Sequence, residues 1–164
     1  MKSTISSSMI YVSKMKASII WFIIIANHAQ GISCKACCDD GWISYKFHCY
    51  LIGHKERTFM EAHHFCYQQG AYLVRIDNYW ENKFLKDLLR NLKVSDTWTG
   101  LSDQRSEGIW RWFNTDRHAS MSDWGPGEPN NNGNEDCVGF WPRINYDWND
   151  YECNSKLRPL CEKP

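Results

Sequence analysis

Carboxylates and amides crowd residues 115–136, where Glu128, Asn130, Asn131, Glu135 and Asp136 stand close together, and Asn149 and Asp150 follow soon after. Oxygen-bearing side chains of this kind suit a hard cation, and calcium takes about six to eight oxygen ligands at ~2.3–2.6 Å. Asn and Asp also shape turns in surface loops, so residue type alone leaves both readings open. A long segment with little regular structure is usually functional or disordered. The density of acids and amides here, with Trp124 among them, favours a bound ion. Other chemistry is sparse. His63 and His64 are adjacent, and neighbours on a helix point in different directions, so they do not form a zinc pair. No Ser or His sits in a nucleophile motif, and no enzyme activity is expected.

The elements that must position this loop come before and after it. Thr58 to Gln69 reads as a helix with Phe59, Ala62, Phe65 and Cys66 near one face, stopped by Gly70. Ala71 to Ile76 follows as a strand. Asn78 with Glu81 three residues on predicts a capping box, and Phe84, Leu85, Leu88, Leu89 and Leu92 then recur at helical spacing. Beyond Val94, short aromatic-rich strands alternate with loops dense in Gly, Asn, Asp and Pro. Candidate strands are Trp98–Leu101, Ile109–Phe113, Cys137–Trp141, Tyr146–Trp148 and Pro159–Glu162. Two helices followed by short antiparallel strands imply an α+β fold.

The chain of 164 residues has room for one compact domain, and its 19 basic and 19 acidic residues balance. A nucleic-acid partner would call for a clustered basic excess, which is missing. At the N-terminus, Lys14 and Lys16 precede the apolar run Ala17–Ala26, which suits a signal peptide and is too short to span a bilayer. Cleavage is expected after Gly31, with Met15 an alternative start. Removing residues 1–31 takes away Lys2, Lys14 and Lys16 and no acid, leaving 16 basic and 19 acidic residues, a net charge of −3. Residues 32–37 read as a short tail before a domain at 38–164. All eight cysteines follow residue 31, as in a secreted disulfide framework.

From Cys38 onward the sequence resembles the C-type lectin-like domain. Cys38-Asp39-Asp40-Gly41-Trp42 leading to Cys49-Tyr50 looks like that family's N-terminal hairpin. Trp98-Thr99-Gly100-Leu101 matches its central Trp-Ile-Gly-Leu strand, with Thr for Ile. Glu128-Pro129-Asn130, Glu135-Asp136-Cys137 and Trp148-Asn149-Asp150 match its calcium and sugar site, in order and at compatible spacing. The resemblance implies a disulfide-stapled fold of two helices, short antiparallel sheets and a long calcium-binding loop region. It implies the pairs Cys38–Cys49, Cys66–Cys161 and Cys137–Cys153. Cys34 and Cys37 have no counterpart in the minimal domain and suggest an extra local bridge or a link between chains.

Carried over residue by residue, the resemblance assigns Ca²⁺ to Glu128, Asn130, Glu135, Asn149 and Asp150, with the Asp150 carbonyl as a further ligand and Pro129 in cis. Two neighbouring sugar hydroxyls would complete the coordination. The same five side chains would bind the sugar, because carboxylates accept hydrogen bonds whereas amide NH₂ groups donate them. The Glu-Pro-Asn order looks like the mannose-type version; galactose-type members carry Gln-Pro-Asp. Asp103, Glu107, Asn131 and Asp136 match an auxiliary calcium site, with Glu135 as a bridge. The implied function is a secreted, calcium-dependent, mannose-type lectin. The cysteine-bearing tail, Trp148 to Cys153 and the ending Leu160 to Pro164 are also similar to perlucin-like proteins of mollusc shell. That second resemblance implies an extracellular matrix protein that meets mineral.

Overall fold

The computed structural model describes residues 38–164. The expected signal segment, the tail at 32–37, and Cys34 and Cys37 lie outside the described residues. The described residues open with a hairpin of β1 (Ile43–Tyr45) and β2 (His48–Ile52), then α1 (Phe59–Gln68), β3 (Tyr72–Leu73) and α2 (Tyr79–Asn91). Strands β4 (Thr97–Ser102), β5 (Arg111–Trp112), β6 (Arg117–His118), β7 (Cys137–Trp141), β8 (Asp147–Tyr151) and β9 (Arg158–Lys163) complete it.

Both helices have local reasons to start and stop where they do. The Thr58 hydroxyl accepts from Glu61 N while the Glu61 carboxylate accepts from Thr58 N, a full capping box that makes Thr58 the cap rather than the first helical residue. At the other end Gly70 takes φ +67°, and Ala71 N donates to Cys66 O as Gly70 N donates to Tyr67 O, closing a Schellman turn. For α2, Asn78 accepts from Glu81 N as expected. The Glu81 carboxylate does not return to the Asn78 backbone, however. It accepts instead from Asp77 N and from the Tyr50 hydroxyl, because the buried Tyr50 ring brings its hydroxyl within 2.7 Å.

The terminal strand β9 organises the sheet. It pairs antiparallel with β2 and β3 and parallel with β4, through Thr97–Arg158 and Trp98–Pro159. The pairings are antiparallel as expected except this one, which is parallel because the last strand enters between β2 and β4 running in the direction of β4. β4 carries β5 and β7 at its edges, and β7 carries β8. All six residues of β4 are buried. A Cβ at Gly100 would come within 2.8 Å of the Leu73 carbonyl oxygen, so that position requires glycine. Thr99, where the family pattern has Ile, satisfies its buried hydroxyl by donating to Val138 O at 2.9 Å.

Three strand expectations shift. Residues 71–76 pair as a strand only at 72–73, since Val74 O accepts from Gly100 N as the chain crosses onto the neighbouring sheet. The expected strand at 109–113 contracts to Arg111–Trp112. The expected strand at 146–148 becomes Asp147–Tyr151, because Asn145 and Tyr146 both hold left-handed backbone (φ 64° and 62°) and turn the chain first. Among the described residues, apolar side chains form two clusters. One centres on Leu85, Leu89, Leu101, Trp112, Phe140 and Trp148, the other on Phe59, Ala62, Cys66, Leu73 and Trp98. Disulfides Cys38–Cys49, Cys66–Cys161 and Cys137–Cys153 staple hairpin, helix and loop to this frame.

Candidate functional site

Three segments bring the acids and amides together. β8 places Asn149 and Asp150, both buried, opposite Gly139 and Val138 of β7. The loop 125–136 folds back over them. The Asp150 carboxylate accepts from the backbone N–H groups of Asn130 (3.2 Å) and Asn131 (2.8 Å). The Glu128–Pro129 bond is cis. Asn130 Nδ2 donates to Glu128 Oε2 at 2.5 Å, and Asn149 Nδ2 donates to the Asp150 carbonyl at 2.5 Å. Asn132 N donates to Glu135 Oε2 at 3.0 Å, and Glu135 N donates to Asn131 Oδ1 at 2.8 Å. Glu128, Asn130, Glu135, Asn149 and Asp150 therefore share one network with Asn131.

The electrostatics show negative charge gathered, with no basic side chain among the described residues acting on Glu128 or Glu135. Partial burial pushes the Glu128 carboxyl up, helped by the adjoining Asp150 carboxylate and by Glu135. Glu135 is also pushed up, first by burial and then by Asp150 and Glu152. Among the described residues no three His, Cys, Asp or Glu side chains stand as a ready metal cluster; here the acids are interleaved with amides that hydrogen-bond them.

The second set sits where β4 ends. Asp103 is 3% exposed; its Oδ2 accepts from Gly108 N at 2.8 Å, while its Oδ1 is buried without a hydrogen-bond partner. Burial raises the Asp103 pKa, with Glu107 and Asp136 adding repulsion. Asp103 N donates to Asp136 O, and Asn134 Nδ2 donates to Asp136 Oδ2. Glu107 and Asp136 thus both act on Asp103, whereas the hydrogen bonds of Asn131 run to Glu135 and Asp150 of the first set. An orphaned buried oxygen among like charges fits a hard cation, which would satisfy it and relieve the repulsion.

Glu152 belongs with these acids although its sequence position did not single it out. It acts on Glu135, and its Oε1 would lie 3.5 Å from a Cβ at Gly133. The available signal was Cys153, whose bond to Cys137 brings the chain back beside Glu135 and Asp136. His63 packs edge-on against Phe113, and His64 pairs with Gln68. A surface cleft of about 640 Å³ runs along α1 beside Arg57, Met60, Phe65 and Lys156, and none of the acids above lines it.

The family model for the Lectin C-type domain matches residues 55–163. The chain belongs to the C-type lectin family. This lectin domain is 39% identical over 120 residues to a perlucin-like protein of Mytilus galloprovincialis, covering 72% of this chain and 77% of that one. It is 33% identical to human asialoglycoprotein receptor 2, over 83% of this chain but 43% of the receptor. Among solved structures, the mouse scavenger receptor C-type lectin carbohydrate-recognition domain superposes with TM-score 0.72 at 27% identity, covering 77% of this chain and 98% of that one. The cow CD23 carbohydrate-recognition domain, solved in the presence of GlcNAc2Man3 oligosaccharide, gives TM-score 0.68 at 30% identity, with 77% and 95% covered. Among the described residues, no helix is long and apolar enough to cross a membrane.

Proposed function

We propose that this domain is a secreted, calcium-dependent carbohydrate-binding module of the mannose type. The reading rests on how acceptors and donors alternate around one point: the Asn130 amide reaches Glu128, and the Asn149 amide reaches the Asp150 carbonyl, each at 2.5 Å. Glu128, Asn130, Glu135, Asn149 and Asp150 would hold calcium, which supplies a Lewis-acidic contact for two neighbouring hydroxyls. The chain's own groups set the selectivity. Each hydroxyl donates to a Glu carboxylate and accepts from an Asn amide, an order suited to the equatorial 3- and 4-hydroxyls of mannose, glucose and N-acetylglucosamine. Asp103, Glu107, Asn131 and Asp136, bridged by Glu135, would hold an auxiliary calcium. Contact through two hydroxyls gives weak monovalent binding, on the order of millimolar or about −4 kcal/mol. Useful capture would then come from several copies on one particle, and Cys34 or Cys37 offers a covalent way to join them. The three disulfides among the described residues suit an oxidising, extracellular setting.

A glycan array with and without chelator tests the reading. Binding to mannose-type glycans that disappears in chelator is the expected result. Binding to galactose with none to mannose overturns the sugar assignment, and binding unchanged by chelator overturns the calcium dependence. Changing Glu128→Gln together with Asn130→Asp reverses the order of donor and acceptor while keeping the oxygen ligands, and should move preference toward galactose.

The likeness to the Mytilus perlucin-like protein supports a second reading, an extracellular shell-matrix protein that meets mineral and retains calcium and glycan binding. Recovery of the chain from a mineralised matrix favours that role; agglutination inhibited by free mannose favours the first.

A further inference from the structure

Two residues of α2 lie outside every site described above, yet they grip both approaches to it. Asn82 and Lys86 are one turn apart and share a face. Asn82, 2% exposed, donates from Nδ2 to Asp123 Oδ2 at 2.7 Å and accepts from Trp148 Nε1 at 3.0 Å. Lys86 Nζ donates to the same Asp123 oxygen at 2.6 Å and also to Asp147 Oδ1. Burial alone would lower the Lys86 pKa, but the hydrogen bonds it donates to the two aspartates outweigh it and hold the ammonium charged.

Backbone bonds extend this grip. Trp148 N donates to Asp123 O, Gly125 N to Trp148 O, and Glu128 N to Gly125 O. One arm therefore runs from Asp123 through Gly125 to Glu128. The other runs from Asp147 through Trp148 to Asn149 and Asp150. The arms meet where Asp150 accepts from the Asn130 and Asn131 amides.

We infer that Lys86, with Asn82, is a positioning residue for this site: its single ammonium fixes the base of the long loop to the strand that carries Asn149 and Asp150. The inference rests on the calcium reading above for its consequence in binding, and on the hydrogen bonds alone for its consequence in the loop. Removing the ammonium leaves Asp123 and Asp147 facing each other, while α2 keeps its seat in the core through Leu85 and Leu89. The loop should loosen and the framework should not.

The test compares Lys86→Met and Lys86→Arg in the full chain by calcium calorimetry and by amide exchange in chelator. Lys86→Met should weaken calcium about tenfold, as loss of a ligand-orienting partner does. It should also speed exchange at Asn130 and Asn131 several-fold while Val74 and Gly100 stay unchanged, and Lys86→Arg should restore both. Unchanged calcium affinity and exchange in Lys86→Met, or equal acceleration at Val74 and Gly100, overturns the proposal. Should the original chain bind no calcium, the calcium reading falls by itself, and the exchange pattern still decides the role of Lys86. If Lys86→Met does not fold, Asp147→Asn weakens one arm of the clamp and is judged by the same two measurements.

Discussion

Glu81 and Asp103 are both buried acids, 6% and 3% exposed, in two regions that treat them differently. Glu81, in the framework, accepts from the Tyr50 hydroxyl, from Asp77 N and from the Asn78 amide. Asp103, at the foot of the loop region, keeps one oxygen without a partner and faces Glu107 and Asp136. The framework pairs most of its buried acids from within, although Glu81 and Glu162 repel each other, and it is cross-linked between distant positions. The loop region is tied mostly by amides to acids that repel one another. Stability and binding are thereby divided: the first should depend on staples and core, the second on what neutralises the loop.

The largest expected effect is on the framework. Removing Cys66–Cys161, which closes a span of 95 residues, should cost about 4–5 kcal/mol at most in the chain-entropy view. Removing Cys137–Cys153, with a span of 16, should cost about 3. Denaturant unfolding of Cys-to-Ala pairs measures both. A reversed order would show that loop closure does not govern these staples.

Calcium should stabilise the whole chain by about 2.7 kcal/mol when present at a hundred times its Kd, since it binds only the folded form. Asp150→Asn should abolish that gain while changing the melting temperature in chelator far less. Identical melting curves with calcium and with chelator would erase the distinction between the two regions. Calcium affinity should also fall on acidification, because protonated carboxyls do not ligate, and it should do so early, since Glu128 and Glu135 are already pushed up.

A pH effect inside the framework should be of order 1–3 kcal/mol. Burial pushes Glu162 up to about 7, although it accepts from Arg75 N and lies 2.6 Å from His48 Nδ1. Below the unfolded carboxyl value both states hold the proton and nothing is lost. Between there and about 7 the folded state still binds it while the unfolded state does not, so stability falls as pH rises through that window. Glu162→Gln should flatten this slope in chelator. An identical slope in both proteins would assign the effect to the loop acids instead.

The smallest effect is at a helix end. Thr58→Ala should cost about 1 kcal/mol, with calcium affinity untouched, because Thr58 caps α1 with Glu61 and hydrogen-bonds none of the loop acids. A loss of calcium affinity in that variant would show that the two regions are coupled through α1.

What the sequence determined by itself was local. Gly70 as a stop, Asn78 as a cap and the Leu85 and Leu89 face rest on interactions within a few positions, and the oxygen chemistry of the loop rests on residue type. The motifs marked by the family resemblance added the order of the site residues and the disulfide pairs now present in the structure. Tertiary structure alone decided the rest. The parallel pairing of β4 with β9 depends on the direction in which the last strand returns to the sheet. The turn at Asn145 and Tyr146 moved the start of β8. The partners of Lys86 stand 37 and 61 positions away. No periodicity or spacing encodes such a meeting, because it depends on how the closed chain brings α2 against the loop and β8, and a charge on a helix face looks the same in sequence whether water or two aspartates surround it.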